Sequence, residues 1–268
     1  MPSTSDLAQV RHANAIGPIP VVFLHGPWLL PTSWERWAGV FDEAGFAPVI
    51  PAWPAGSPSR AAGWTAGEVA DHFAGLIGGL EHKPAVVGHS TGGLLAQIIA
   101  GRGLASASVA IGPAPFHGVL PLPLSPPRAP AGPADVSGAI PLTYEQFRHA
   151  FANAVGEEEA GRLYEMFAVP APGVPPLQTS GAAFAPWSEP EPDVAAKDRG
   201  PLLLISGERD LIVPWAAVHD SYKVQARNEQ HLTEIVELPG RGHSLTVDSG
   251  WREVCGTALT FIQRFVDP

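Results

Sequence analysis

"VVGHSTGGLLAQ", residues 86–97, sets a lone serine among small glycines, with an apolar run before it and a helix-period run after it. Gly88, His89, Ser90, Thr91 and Gly92 spell G-x-S-x-G where a strand gives way to a helix, and that context makes a common pattern informative. A sharp strand-to-helix turn holds its central residue in a strained backbone conformation. The residues two before and two after it must then be small, as Gly88 and Gly92 are. The helix opening at Thr91 also aims free N–H groups and the positive end of its dipole at the turn. Ser90 is therefore a candidate nucleophile, with a polar residue in a tight turn as the plain alternative.

Working outward, short β-branched apolar runs alternate with longer helix-period segments, the pattern of a parallel sheet covered by helices. The strands are read at 19–26, 47–54, 84–90, 107–113, 201–207 and 233–240. Thr32 and Glu35 have the spacing of a capping box, followed by Trp34, Trp37, Phe41 and Ala44 on one face and a stop at Gly45. Further helices are read at 66–79, 91–101, 215–226 and 250–265. Residues 113–199 break this rhythm: they hold 16 of the 30 prolines, which exclude a central strand or helix interior over "VLPLPLSPPRAPAGPADVSGAIP". Inside that region Thr143 and Gln146 can cap a helix whose Tyr144, Phe147 and Phe151 share a face, and "EEEAGRLYEMF" reads as a second helix. The expectation is an α/β core formed by 1–112 and 200–268, with a Pro-rich helical cap inserted at 113–199.

Bulk properties narrow the partners. With 268 residues, 45% apolar and 16% charged, the chain suits one large enzyme-sized globule rather than a disordered or fibrous one. The formal charge of −10 repels nucleic acid and anionic membranes at long range. Cys255 stands alone, so there is no internal disulfide and no cysteine-rich metal site. No basic and apolar leader opens the chain and no run reaches about 18 uninterrupted apolar residues, so a soluble, cytoplasmic protein is expected.

A serine hydroxyl is a weak nucleophile at neutral pH and needs a base oriented by an acid. Both should follow later strands at the sheet edge that exposes Ser90. "PLLLISGERDLIVPW" sets Asp210 past one strand and "TEIVELPGRGHSL" sets His243 past the next. From about residue 19 onward, "FLHG", "GHSTGG", "GERDLIVP" and "GRGH" resemble the α/β-hydrolase superfamily. "HGPW...SWERWAGVFDEAGF" looks like its compact methylesterase and hydroxynitrile lyase branch and bacterial relatives.

The resemblance implies an α/β-hydrolase fold with a mostly parallel sheet of about six strands. It implies Ser90 as nucleophile, His243 as general base and then acid, and Asp210 as the carboxylate that orients His243. No acid follows the strand ending "AIGPAP", the superfamily's other position for that group. The oxyanion hole should pair the N–H of Thr91 with one from the loop after "FLHG". Pro27 stands there without an N–H, which leaves Trp28 or a side-chain substitute as the second donor. His25, Pro27, His89, Phe147, Phe151, Tyr164, Phe167 and Trp187 are candidate pocket residues, joined by Met166 and Phe184.

The expected substrate is a small-molecule carboxylic ester with an apolar acyl or alcohol group, cleaved without metal or organic cofactor. Lactone, thioester or carbon–carbon hydrolysis, cyanohydrin cleavage and perhydrolysis use the same triad. A ligand receptor of the same fold is the alternative outside catalysis. Ser90 argues against the dehalogenases and epoxide hydrolases of this fold, which need a carboxylate at the elbow.

Overall fold

The computed structural model describes residues 3–26, 29–54, 65–116, 143–167 and 192–268. Six strands, β1 (Pro20–Leu24), β2 (Ala47–Val49), β3 (Ala85–His89), β4 (Ala107–Ile111), β5 (Leu202–Gly207) and β6 (Thr233–Leu238), form one sheet in the order β2-β1-β3-β4-β5-β6. Every neighbouring pair is parallel. This is the expected α/β-hydrolase sheet, although β2 is much shorter than the 47–54 run. The order reverses between β1 and β3, and at such a switch point the connections leave on opposite sides and open a crevice at the strands' C-terminal ends.

The two-residue period of a strand distributes side chains to opposite layers. Val21 and Phe23 of β1 and Ala85 and Val87 of β3 join one apolar cluster with Trp34, Trp37, Phe41 and Phe261. Val22, Leu24 and Val86 join another with Val69, Phe73, Leu95 and Ile99. The first layer is built by α2 (Glu35–Glu43) and α8 (Trp251–Gln263), the second by α1 (Thr4–Ile16), α3 (Ala66–Ile77) and α4 (Thr91–Gly101). Burial on both faces explains why these strands read as continuous apolar runs.

Two local expectations are corrected. Thr32 and Glu35 make no capping box: Pro31 opens a 3₁₀ turn over Pro31–Trp34, and Trp34 stands at the start of α2 without a side-chain cap bond. The fixed φ of Pro31 starts the turn early and leaves Thr32 inside it, whereas a cap residue needs extended backbone. The second correction is α1, which no apolar stripe announced. It begins with a true capping box between Ser3 and Asp6 and ends at Gly17, φ 88°. It docks through polar groups: Gln9 exchanges two hydrogen bonds with the backbone of Ile50, and Asp6 accepts from Ala52 N–H.

The Thr143–Gln146 capping box does form, opening α5 (Tyr144–Gln146), which widens into a π turn over Phe147–Phe151 before α6 (Glu157–Phe167). Phe147, Phe151, Leu163 and Phe167 are buried in a third cluster with Ala110 of β4, Leu202 and Leu204 of β5, and Ala217 and Val218 of α7 (Trp215–Gln225). Away from the crevice, the fully buried guanidinium of Arg199 donates to Gln225 O and Oε1, His231 O, Leu232 O and Thr233 Oγ1. These acceptors replace a counter-ion and tie the entry of β5 to α7 and β6. Burial still pushes its pKa down to about 10. Among the described residues no helix is long and apolar enough to cross a membrane.

Candidate active site

Ser90 caps β3 and opens α4 with φ 58° and ψ −121°, and is the one non-glycine residue at positive φ among those described. Such a conformation costs roughly 1–3 kcal/mol and persists only where its surroundings enforce it. The enforcement is visible. Ser90 N–H donates to Ile111 O, and Ser90 O accepts from Gly93, Leu94 and Ala114. A Cβ on Gly88 would lie 2.0 Å from Gly92 O, and one on Gly92 would lie 2.0 Å from Leu24 O. Both positions exclude any side chain, because the obstacle is backbone. Gly26, following β1, brings its backbone against Ser90: a Cβ there would stand 3.3 Å from Ser90 Cβ and 3.8 Å from Ser90 Oγ.

Asp210 and His243 meet at the same sheet edge. His243 Nδ1 lies 2.7 Å from Asp210 Oδ2, and the side chains are essentially sealed from solvent. Asp210 Oδ1 accepts from Ile212 N–H and Val213 N–H, both at 2.8 Å, so each carboxylate oxygen has its own work. With Nδ1 donating to a carboxylate, His243 Nε2 carries the lone pair, and this atom is buried without a hydrogen-bond partner. Gly112, φ 46°, clears the space: a Cβ there would come within 3.2 Å of Asp210 Oδ2 and 3.5 Å of the His243 ring. The sequence reading did not single out Gly112. Its only signal was a glycine at a strand end where the superfamily's other acid would stand.

His89 is fully buried, its Nε2 3.0 Å from His243 O and its ring centroid 4.6 Å from that of His243. A carbonyl can only accept, so Nε2 donates and Nδ1 remains unpartnered. Burial, then the neighbouring His243, hold His89 well below its ordinary pKa, so it stays neutral. The His89 ring packs against the rings of His243 and Phe151 and donates to the backbone of the base. His25 is likewise buried, donating Nδ1–H to Gly26 O at 2.8 Å and packing near Trp53, and burial pushes its pKa down to about 4.

Of the expected pocket residues on the helical pair, Phe151 reaches the site, its ring centroid 5.5 Å from that of His243. Phe147 and Phe167 pack into the third apolar cluster, Tyr164 is partly buried against Phe147 and Tyr144, and Met166 is largely exposed. Pro27, Trp28, Phe184 and Trp187 lie outside the described residues, as does the long proline-rich stretch. Asn153, Asp248 and Glu159, which the sequence reading passed over, contact the loops that carry Asp210 and His243. Among the described residues no group of three or more His, Cys, Asp or Glu side chains could hold a metal ion.

The chain shares its fold with several solved structures. It superposes on a monoacylglycerol lipase from Paleococcus ferrophilus with a TM-score of 0.65 at 18% identity, covering 92% of this chain and 94% of that one. For a thermophilic esterase from Thermogutta terrifontis the values are 0.63, 18%, 93% and 91%. An extracellular α/β-hydrolase from a Paenibacillus species, described as sharing structural and functional homology with Tobacco Salicylic Acid Binding Protein 2, gives 0.61, 18%, 91% and 98%. At these identities the likeness speaks for the fold. A search of curated protein sequences finds no match. The family model described as "Alpha/beta hydrolase family" matches residues 21–257, from β1 into α8, and the chain belongs to that family.

Proposed function

We propose that the protein is a serine hydrolase that cleaves a carboxylic ester of a small to medium apolar small-molecule substrate through an acyl-enzyme. The observation that carries this reading is the buried Asp210–His243 hydrogen bond, with an unpartnered Nε2 lone pair at the sheet edge where Ser90 is held in a strained turn. The description of similar folds as lipase and esterase supports the ester class.

His243 Nε2 takes the proton of Ser90 Oγ as the oxygen attacks the ester carbonyl. Asp210 holds the imidazole in the Nδ1–H tautomer and stabilises the imidazolium that forms. The tetrahedral oxyanion develops beside the start of α4, where the first N–H groups, that of Thr91 among them, have no intrahelical acceptor. Collapse expels the alcohol, which receives the proton from His243. Water then gives a proton to the same Nε2, attacks the acyl-enzyme and releases the acid. As the acid leaves, His243 returns that proton to Ser90 Oγ, while Asp210 stays ionised throughout. Phe151 of the helical pair 143–167 supplies an apolar surface next to the base.

Initial rates on p-nitrophenyl esters of increasing acyl length, with wild type and Ser90→Ala side by side, test the reading. Turnover by wild type that is lost in a folded Ser90→Ala protein is expected. Equal rates in the two proteins, or none in a folded wild type, would refute it.

A further inference from the structure

The helical pair contacts both loops that carry the acid and the base. Asn153, in the turn between α5 and α6, donates Nδ2–H to Arg209 O at 2.8 Å, the carbonyl immediately before Asp210. Its Oδ1 is buried without a partner. On the base side, a Cβ on Gly242 would stand 2.6 Å from Asn153 Oδ1 and 3.0 Å from Ala154 Cβ, so the nearest atoms it would meet belong to this turn. Gly242 directly precedes His243. Farther along, the Glu159 carboxylate accepts from Ser249 N–H and Oγ–H. Ser249 follows Asp248, whose carboxylate binds the Arg241 guanidinium and Ser244 Oγ, one on each side of His243.

These contacts matter because sheet pairing stops short of the site. The β5–β6 ladder ends at Gly207 and Leu238, three residues before Asp210 and five before His243. Beyond it the two loops are joined by backbone bonds such as Arg209 N–H to Arg241 O, at 2.8 Å. Productive geometry at a reacting site tolerates errors of only about 0.5 Å, which loops achieve when neighbouring packing locks them.

We propose that the α5–α6 pair acts as a fixed brace for the acid and base loops, with Asn153 as a positioning residue that holds Asp210 and His243 in register. This inference rests on the triad reading above. It makes the segment part of the catalytic geometry, whatever surface it also offers to substrate. Loss of the brace should lower turnover and leave substrate affinity alone, since a misplacement of about 1 Å can cost on the order of a hundredfold in rate.

The test uses the full-length protein as wild type, Asn153→Ala and Gly242→Ala, with a p-nitrophenyl ester as substrate. A fluorophosphonate titrates reactive Ser90, so that rates refer to competent sites and a simple loss of folded protein cancels. The expected result is a fall in kcat per titrated site of about tenfold or more in each variant, KM within about twofold of wild type, and fluorophosphonate labelling slowed in parallel. Should Asn153→Ala not fold, Gly242→Ala decides alone, because the atoms nearest its added methyl are those of Asn153 and Ala154. Wild-type kcat per titrated site in the variants, or a raised KM at constant kcat, overturns the brace. A folded wild type that neither turns over the ester nor labels at Ser90 instead refutes the triad reading, and the brace falls with it.

Discussion

Asp210→Asn removes one charge and little volume, and the structure dictates what the amide must do. One oxygen of Asp210 accepts two backbone N–H groups at 2.8 Å, and the other faces His243 Nδ1 at 2.7 Å. The asparagine can keep its oxygen on Ile212 and Val213, which turns its NH₂ toward His243. Flipped, it would set the NH₂ against two N–H donors and strand both, at about 1–3 kcal/mol each. The unflipped form is therefore favoured by roughly 2–6 kcal/mol. It forces His243 to accept at Nδ1 and to carry its proton on Nε2, where it can no longer take one from Ser90. A wrong tautomer in such a triad lowers kcat about ten-thousand-fold, or roughly 5.5 kcal/mol in the barrier. The assay is the initial rate on a p-nitrophenyl ester near neutral pH, with circular dichroism to show an unchanged fold. A folded Asp210→Asn protein that retains more than about a tenth of wild-type kcat would refute the assignment of Asp210.

Stability should fall on acidification. His25 has its pKa lowered from 6.5 to about 4, and His89 is lowered in the same direction, so the unfolded chain binds more protons than the folded one between these values. The contribution is present above about pH 6.5 and is lost as pH falls toward 4; for His25 it amounts to about 3 kcal/mol. Melting curves at pH 7.5 and pH 5 check this, and an equal Tm at both would count against buried neutral histidines. Gly92→Ala should cost more than about 3 kcal/mol and deplete soluble protein, since its Cβ would strike Leu24 O at 2.0 Å. Gly256→Ala in α8 meets nothing within 4 Å and should raise stability by about 0.5–1 kcal/mol, a paired control by thermal melt.

What the sequence determined by itself are the features encoded over short distances. Apolar runs followed by helix-period segments marked the six strands, because burial on both faces demands them. The Gly88-to-Gly92 spacing marked the elbow, because backbone contacts at both glycines exclude a side chain. Thr143 with Gln146 marked a helix start, because a capping box is a four-residue affair. The helix 4–16 was illegible for the opposite reason: Val10 and Ala13 are buried while Leu7 and Ile16 stay exposed, and polar bonds from Asp6 and Gln9 hold it to residues 50 and 52.

Tertiary structure alone decided the rest. The order β2-β1-β3-β4-β5-β6 brings Gly26 against Ser90 at the switch point, and strand order is a property of the sheet rather than of any strand. The same holds for His89, whose position in the motif is local but whose place beneath His243 depends on a contact 154 residues away in the chain. Asn153 carries no motif at all. It matters because the fold sets it between the loops of Asp210 and His243, and a side chain's partners across a fold are decided by packing, which local sequence does not encode.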